Sequence, residues 1–146
     1  MKHYRPRKQS GFSIIEVVLV ALTVGLLLAI IFKNYGDAVI EERRAIAQQT
    51  LFTVAGLQER WFLRRYEYAA TIDDVGGADV AGDYYRLLIT QAPCGNTSCY
   101  TVTAVAQGEQ EQDRECEKMS INNLGVRRAL SRDNQDTTAT CWESSS

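Results

Sequence analysis

The sequence predicts an α+β fold in which one long N-terminal helix packs on an antiparallel β-meander. Three features support this prediction: an unbroken apolar run at 12–32, an amphipathic stripe at 47–61, and β-branched runs in the second half. A helix laid against a meander buries its apolar stripe on one face of the sheet. The length of 146 residues suits one domain with a single modest core.

The apolar run from Phe12 to Phe32 is long enough to cross a bilayer. It contains one charged residue, Glu16, and as a helix at ~1.5 Å per residue it spans roughly 31 Å. A helix that is apolar on all sides needs apolar neighbours on all sides, which a small soluble core does not supply. We therefore predict a single transmembrane helix at 12–33, with Lys33 at its outer edge.

The charges of the chain are unevenly distributed. The first ten residues hold four basic groups and no acidic one, so the rest of the chain carries a formal charge of roughly −6. This asymmetry places the N-terminus in the cytoplasm and residues 34–146 in the periplasm or outside the cell. An acidic remainder also argues against binding to nucleic acid, whose phosphates require positive surface.

Glu16 is unusual because a lone carboxylate among lipid tails costs a few kcal/mol and normally has a partner or a task. The simpler interpretation is that Glu16 lies near the interface, where it snorkels or takes up a proton. An ordinary secretory signal peptide is a further alternative. Such a signal has a shorter apolar region that ends at a small-residue cleavage site, whereas this run leads into charged, helix-like sequence.

The segment Gly11-Phe12-Ser13-Ile14-Ile15-Glu16, between a basic stub and the apolar run, resembles the class III signal of type IV pilins and pseudopilins. The resemblance implies that residues 1–11 are a leader, that prepilin peptidase cleaves between Gly11 and Phe12, and that the amine of Phe12 is then methylated. It also implies that the Glu16 carboxylate of one subunit neutralises the Phe12 amine of its neighbour and so fixes axial register in the filament core. Lys33 departs from the family, in which many members have a proline, and this departure predicts a straighter helix.

The helix is predicted to continue beyond the membrane, from Phe12 to about Arg65, because no proline occurs between Pro6 and Pro93. Its second half carries an apolar stripe with a period near 3.5, which we predict to pack on the sheet. The stripe consists of Ala47, Leu51, Val54, Leu57 and Trp61. The charged residues before and between these positions, Glu41, Glu42, Arg43 and Arg44 among them, predict a solvated face.

The sheet is predicted from runs at 84–90, 100–106 and 118–122, with a short fourth strand from Val126. Residues 66–83 are expected to form an irregular connection, and their Asp residues match no EF-hand loop. Five acidic residues between 108 and 117 predict a solvated loop.

The four cysteines allow three disulfide pairings. A location outside the cytoplasm makes disulfides the expected state. We favour Cys94–Cys99, which closes a hairpin, together with Cys116–Cys141, which ties the C-terminal tail to the sheet. Zinc binding and redox catalysis are the rival interpretations, but the chain has no C-x-x-C motif. We therefore expect no metal and no cofactor.

Motifs in the head narrow the resemblance. Gln58-Glu59-Arg60-Trp61-Phe62, Tyr100-Thr101-Val102-Thr103-Ala104, the segment from Asp113 to Gly125, and Cys141-Trp142 resemble, in order, motifs of PilE-type minor pilins. The resemblance implies the type IV pilin fold and a role as a minor subunit that joins or primes a type IV pilus. The implied partners are prepilin peptidase, the major and other minor pilins, the inner-membrane assembly machinery and the membrane itself.

Three other functions compete with that of a minor pilin. A type II secretion pseudopilin shares the N-terminal chemistry. A DNA-uptake receptor is known among PilE-like relatives, and Arg127, Arg128 and Arg132, with Trp142 or Tyr100 for stacking, are the candidate contacts. The acidic balance makes nucleic acid the weaker expectation. An enzyme is not expected, because the only histidine, His3, is in the leader and the head has no paired-carboxylate constellation.

Overall fold

The structure is a computed structural model that describes residues 13–77 and 82–143. The predicted leader, the cleavage site at Gly11 and the predicted N-terminal residue Phe12 lie outside the described residues. The chain divides after Ala38 into an N-terminal unit and a second unit that begins at Val39. We refer to the second unit as the head and describe the two units separately.

Helix α1 comprises Ile14–Arg65 and contributes to both units. Its N-terminal part is apolar and solvent-exposed on all sides over residues 14–30. The part of the chain that the structure describes contains one helix long and apolar enough to cross a membrane, and this is the helix. The predicted end of the helix at Arg65 is confirmed.

Within the head, α1 packs one face against the sheet. Ala47, Leu51 and Val54 are buried as predicted, whereas Leu57 and Trp61 are only half-buried. Gln58 is fully buried on the same face. Its side-chain Nε2 donates to the carbonyl of Ala69 at 3.0 Å and its Oε1 accepts the Ala69 N–H at 2.9 Å. The carboxamide thereby satisfies both backbone groups of a buried residue that follows the helix.

The sheet is a four-stranded antiparallel meander in the order β1-β2-β3-β4, which confirms the predicted topology. Its strands are β1 Tyr85–Thr90, β2 Thr101–Ala106, β3 Lys118–Asn122 and β4 Arg127–Leu130. Ala104 of β2 lies opposite Met119 of β3, which in turn lies opposite Ala129 of β4. These side chains share the face that α1 covers. Because side chains alternate across a strand, the predicted alternation of β2 places Val102, Ala104 and Ala106 in the core.

A second helix, α2 at Thr138–Glu143, was not predicted. Two of its residues, Cys141 and Trp142, are buried in the hydrophobic core. Two short 3₁₀ turns, Asp73–Val75 and Gly108–Gln112, interrupt the connections that the sequence predicted to be irregular.

Candidate functional site

The N-terminal unit presents an apolar surface with one carboxylate. Glu16 lies in the first turn of α1, where its backbone N–H donates to the carbonyl of Ser13 at 3.0 Å. Its side chain is exposed, as are its apolar neighbours through Ile30. An apolar helix surface of this extent is stabilised by burial among lipid or other apolar helices. Within residues 13–77 and 82–143, the Glu16 side chain has no ion-pair partner.

In the head, the acidic segment 108–117 is only partly the solvated loop that the sequence predicted, because Glu109, Glu111 and Glu115 are exposed but Asp113 is not. Asp113 is buried, with its side chain 1% exposed, and forms a bidentate ion pair with Arg44. Arg44 Nε lies 2.6 Å from Oδ2 and Nη2 lies 2.7 Å from Oδ1. The N–H of Cys116 donates to Oδ1 at 3.0 Å and Gln110 Nε2 donates to Oδ2 at 3.2 Å. Burial is possible because four donors satisfy the carboxylate.

The Arg44–Asp113 pair has an electrostatic consequence for the arginine. Its hydrogen bonds with Asp113 raise the pKa of Arg44 above its ordinary value, against the opposing effect of burial. Gln110 is also buried, and its Nε2 contacts the carbonyl of Ile40 at 3.3 Å. The segment is thus attached to the first turns of α1 in the head by a buried ion pair and a buried carboxamide.

A second, exposed layer of charge surrounds this buried pair. Arg43 binds Glu109 at 2.9 Å, with the Glu109 side chain 74% exposed, and its guanidinium lies 3.9 Å above the ring centre of Tyr84. The prediction that Arg43 and Arg44 belong to a solvated face is therefore wrong, because both reach across to the acidic segment. Glu41 and Glu42 are exposed, as predicted.

All four cysteines form disulfides. Cys94 is joined to Cys99 at the β1–β2 turn. Cys116, two residues before β3, is joined to Cys141 of α2. Cys116 and Cys141 are both completely buried. Within residues 13–77 and 82–143, no group of three or more His, Cys, Asp or Glu side chains is arranged to hold a metal ion.

The aromatic side chains proposed as stacking platforms are not available to a ligand. Trp142 is 6% exposed, donates from Nε1 to the carbonyl of Arg128 at 3.1 Å, and meets Phe52 edge to face. Tyr100 is 2% exposed, and burial raises the pKa of its hydroxyl. Neither residue can therefore serve as the stacking surface considered for the DNA-receptor alternative, because both are part of the core.

The three arginines of the proposed cluster differ in their surroundings. Arg132 is held by Glu117 at 3.1 Å and by the carbonyl of Glu111 at 2.7 Å. Arg127 lies over the ring of Trp142, with 5.5 Å between the guanidinium carbon and the ring centre. Both Arg127 and Arg128 are exposed on β4. Of the three, Arg127 and Arg128 remain as candidate contacts on the edge strand β4, with their side chains on opposite faces of the sheet.

Sequence reasoning missed the buried polar residues, which are Thr50, Gln58, Gln110 and Asp113 among those described. Gln58 had a detectable signal, because it lies four residues after Val54 and four before Phe62 on the buried face of α1. Gln110 and Asp113 had none, since the partner of Asp113 is 69 residues away in a segment that also looks solvated.

Comparison with known proteins identifies the family. Residues 34–120, well over half of the chain, match the family described as type IV minor pilin ComP, DNA uptake sequence receptor. The chain belongs to this family of type IV minor pilins. The pilin is also similar to a solved structure, described as the high-resolution structure of a type IV pilin from Shewanella oneidensis. The two are 27% identical, with a TM-score of 0.49, and the match covers 60% of this chain and 89% of that one. No curated protein sequence matches the chain significantly.

Family membership confirms the interpretation as a type IV minor pilin, a structural subunit that associates with other pilins. The matched residues, 34–120, include the end of the N-terminal unit and most of the head. The apolar part of α1 is a candidate membrane anchor by length and composition.

Proposed function

We propose that this pilin is synthesised as a prepilin, cleaved between Gly11 and Phe12, methylated on the Phe12 amine and then incorporated into a type IV pilus. The observation that carries the proposal is the helix surface over 14–30, which is apolar and exposed on all sides except for the single carboxylate of Glu16. This surface fits two successive environments, the bilayer before assembly and the helical core of a filament afterwards.

In the proposed filament, Glu16 sets the axial position of each subunit. Cleavage before Phe12 would create a cationic amine at the end of an apolar helix. In an apolar core, an amine and a carboxylate stabilise one another only when they are adjacent, because any other stagger leaves a buried charge without a partner. Pairing the Glu16 carboxylate of one subunit with the amine of the next therefore selects one register.

The proposed topology has the N-terminus in the cytoplasm and the head in the periplasm, before transfer to the cell surface. The basic residues that precede the apolar segment support this orientation, and the two disulfides of the head fit an oxidising compartment. Prepilin peptidase and the inner-membrane assembly machinery are the partners that this route requires.

The test is the Glu16→Ala variant, with Glu67→Ala as the matched control that removes an exposed head carboxylate. We expect both variants to be cleaved like the wild type, and Glu16→Ala alone to lose at least tenfold in the amount recovered from sheared pili. Mass spectrometry of the pili should identify a chain that begins at methylated Phe12. Wild-type recovery of Glu16→Ala in pili would contradict the proposed register. Loss of protein secretion with intact pili after deletion would instead indicate a type II secretion pseudopilin.

A second candidate function is DNA binding, which the description of the matching family favours. The structural feature that supports it is the edge strand β4, on which Arg127 and Arg128 are both exposed, with their side chains on opposite faces of the sheet. Binding would be electrostatic in character, because Trp142 and Tyr100 are buried and cannot stack on bases.

Fluorescence anisotropy with labelled duplex DNA and the full chain in detergent tests the second candidate. We expect affinity that falls steeply as salt is raised and a loss of about tenfold or more in the Arg127→Gln/Arg128→Gln variant. The control is Arg60→Gln/Arg64→Gln, which removes the same charge from α1. Absence of salt-sensitive binding, or equal losses in the two variants, would reject this surface as the DNA site.

A further inference from the structure

A groove lies at the C-terminal end of α1 in the head. It has a volume of about 370 Å³ and is lined by Leu57, Arg60, Trp61, Leu63, Arg64, Asp74 and Val75. Leu63 is 75% exposed, a large fraction for an apolar side chain beside other apolar residues. The indole Nε1 of Trp61 is buried and has no hydrogen-bond partner among the described residues. An exposed apolar side chain beside other apolar residues in a groove is typical of a surface that a partner covers.

The rim of the groove is positively charged. Arg60 and Arg64 are exposed on it, and the guanidinium of Arg65 lies 4.4 Å above the ring centre of Trp61. The single carboxylate in the lining, Asp74, accepts hydrogen bonds from the N–H and hydroxyl of Thr71. The groove therefore combines apolar contact area with a local excess of positive charge on a chain whose formal net charge is −2.

Complementary charge lies near the other end of α1 in the head. Glu41, Glu42 and Glu111 are exposed there, beside the exposed and ion-paired Glu109 and Glu115. We call this set the acidic end. Eighteen residues of continuous helix separate Glu42 from Arg60, which is about 27 Å at ~1.5 Å per residue. The groove and the acidic end therefore cannot meet within one molecule, but they can meet between two.

We propose that the groove binds the acidic end of a second copy of this pilin, in a head-to-tail contact. Arg60 and Arg64 would face the carboxylates, while Leu57, Leu63 and Trp61 would be covered by the neighbouring head. Such a contact is heterologous, since two different surfaces meet, and it repeats along an axis instead of closing into a dimer. The inference rests on the proposed function as a pilus subunit, because a filament is the assembly in which such a contact propagates.

The lining of the groove favours a protein partner over DNA. Four of its seven residues are apolar, and Asp74 would repel a phosphate. A carboxylate-bearing head satisfies both properties of the groove, since it supplies negative charge on the rim and apolar area at the centre.

The test measures self-association of the full pilin in detergent by light scattering coupled to size-exclusion chromatography, at low and high salt. One variant, Arg60→Gln/Arg64→Gln, neutralises the groove, and another, Glu41→Gln/Glu42→Gln/Glu111→Gln, neutralises the acidic end. We expect wild-type oligomers that dissociate as salt is raised, and at least tenfold weaker association for either variant alone. An equimolar mixture of the two should form dimers and nothing larger, because each mixed pair retains one intact contact.

Arg127→Gln/Arg128→Gln is the matched control, with the same charge change at a different surface, and it should associate like the wild type. The membrane segment is identical in all variants, so association through that segment cancels in the comparison. Wild-type association of the groove variant would overturn the proposal, as would a mixture that fails to form dimers while circular dichroism shows folded heads. A groove variant that associates normally but loses DNA binding would overturn it in favour of a nucleic-acid site.

Recovery in pili separates this inference from the proposed function. If the wild-type chain self-associates as described but is absent from purified pili, the proposed function fails and the contact stands. If the wild type is present in pili and the groove variant associates and enters pili equally well, the contact fails and the function stands.

Discussion

The two parts of helix α1 have opposite surfaces, although they belong to one continuous helix. Residues 14–30 carry apolar side chains on every side, and all of them are exposed. In the head, the helix is amphipathic and its apolar stripe is buried against the sheet. The first part therefore depends on surroundings outside the chain, whereas the second part contributes to a core that the chain forms by itself.

The difference shows that exposure has different meanings in the two parts. An exposed leucine in the first part, such as Leu27, indicates a surrounding of lipid or other helices, because its neighbours on all sides are apolar as well. An exposed leucine in the head, such as Leu63, is surrounded by charge and indicates a local contact. The comparison predicts that substitutions in the head change its stability, and that substitutions in the first part change only its association with membrane or filament.

The largest effect is expected from Asp113→Ala, which removes the buried carboxylate from its pair with Arg44 and leaves that arginine only the exposed carboxylate of Glu115, at 3.5 Å. Breaking a buried ion pair from one side typically costs about 3–5 kcal/mol, and the free energy of unfolding of the head should fall by that amount. Chemical denaturation followed by tryptophan fluorescence measures it. Glu109→Ala, which removes the exposed partner of Arg43, is the control and should leave the midpoint nearly unchanged. Equal losses in the two variants would show that burial does not decide the strength of these pairs.

Leucine truncation compares the two parts of α1 directly. Leu51 is completely buried, so Leu51→Ala should lower the free energy of unfolding by about 2–5 kcal/mol through lost burial and a residual cavity. Leu27→Ala removes the same atoms from the exposed segment and should leave unfolding of the head unchanged. A large effect of Leu27→Ala on the head would contradict the separation of the two units.

The disulfide between Cys116 and Cys141 is expected to have the next largest effect. It closes a loop with a sequence separation of 25 residues, and the loss of chain entropy in the unfolded state corresponds to about 3 kcal/mol. The Cys116→Ser/Cys141→Ser variant should lose that stability in the denaturation assay. Cys94→Ser/Cys99→Ser removes a much shorter loop, with a separation of 5 residues, and should lose less. The reverse order would show that the chain entropy of the unfolded state does not decide how much each disulfide stabilises the head.

The elements of the fold were predictable from the sequence because each depends on a local pattern. Strand β3 has the predicted bounds, and β1 and β2 each begin one residue later than predicted. The 3.5-residue period located the stripe of α1, of which Ala47, Leu51 and Val54 are buried. Helix α2 was missed because its six residues are too few to show a period.

The polar contacts of the head were not predictable, because they join segments that are distant in sequence. The charges around Arg44 and Asp113 have the composition of solvated segments, and only the fold brings them together. The arginines and carboxylates of the groove and the acidic end likewise acquire their arrangement from α1, which holds them at opposite ends. By contrast, the N-terminal motif around Glu16 was informative without any fold, since its function depends on a linear segment in an apolar environment.

The smallest effect concerns pH and the buried tyrosines of the head. Burial, aided by the negative charge of Glu59, raises the pKa of Tyr100, so the folded head keeps this hydroxyl protonated after the unfolded chain has lost its proton. The stabilisation is complete below the ordinary tyrosine pKa of about 10, and it is lost as pH rises from there towards the folded-state value. At pH 11 the loss for one tyrosine is about 1.4 kcal/mol.

Tyr100→Phe should therefore show a shallower decline of stability than the wild type between pH 9 and 11, measured by denaturant midpoints. Tyr66→Phe, at an exposed ring, is the matched control. Identical pH profiles for the wild type and Tyr100→Phe would show that Tyr100 does not contribute to the alkaline sensitivity of the core.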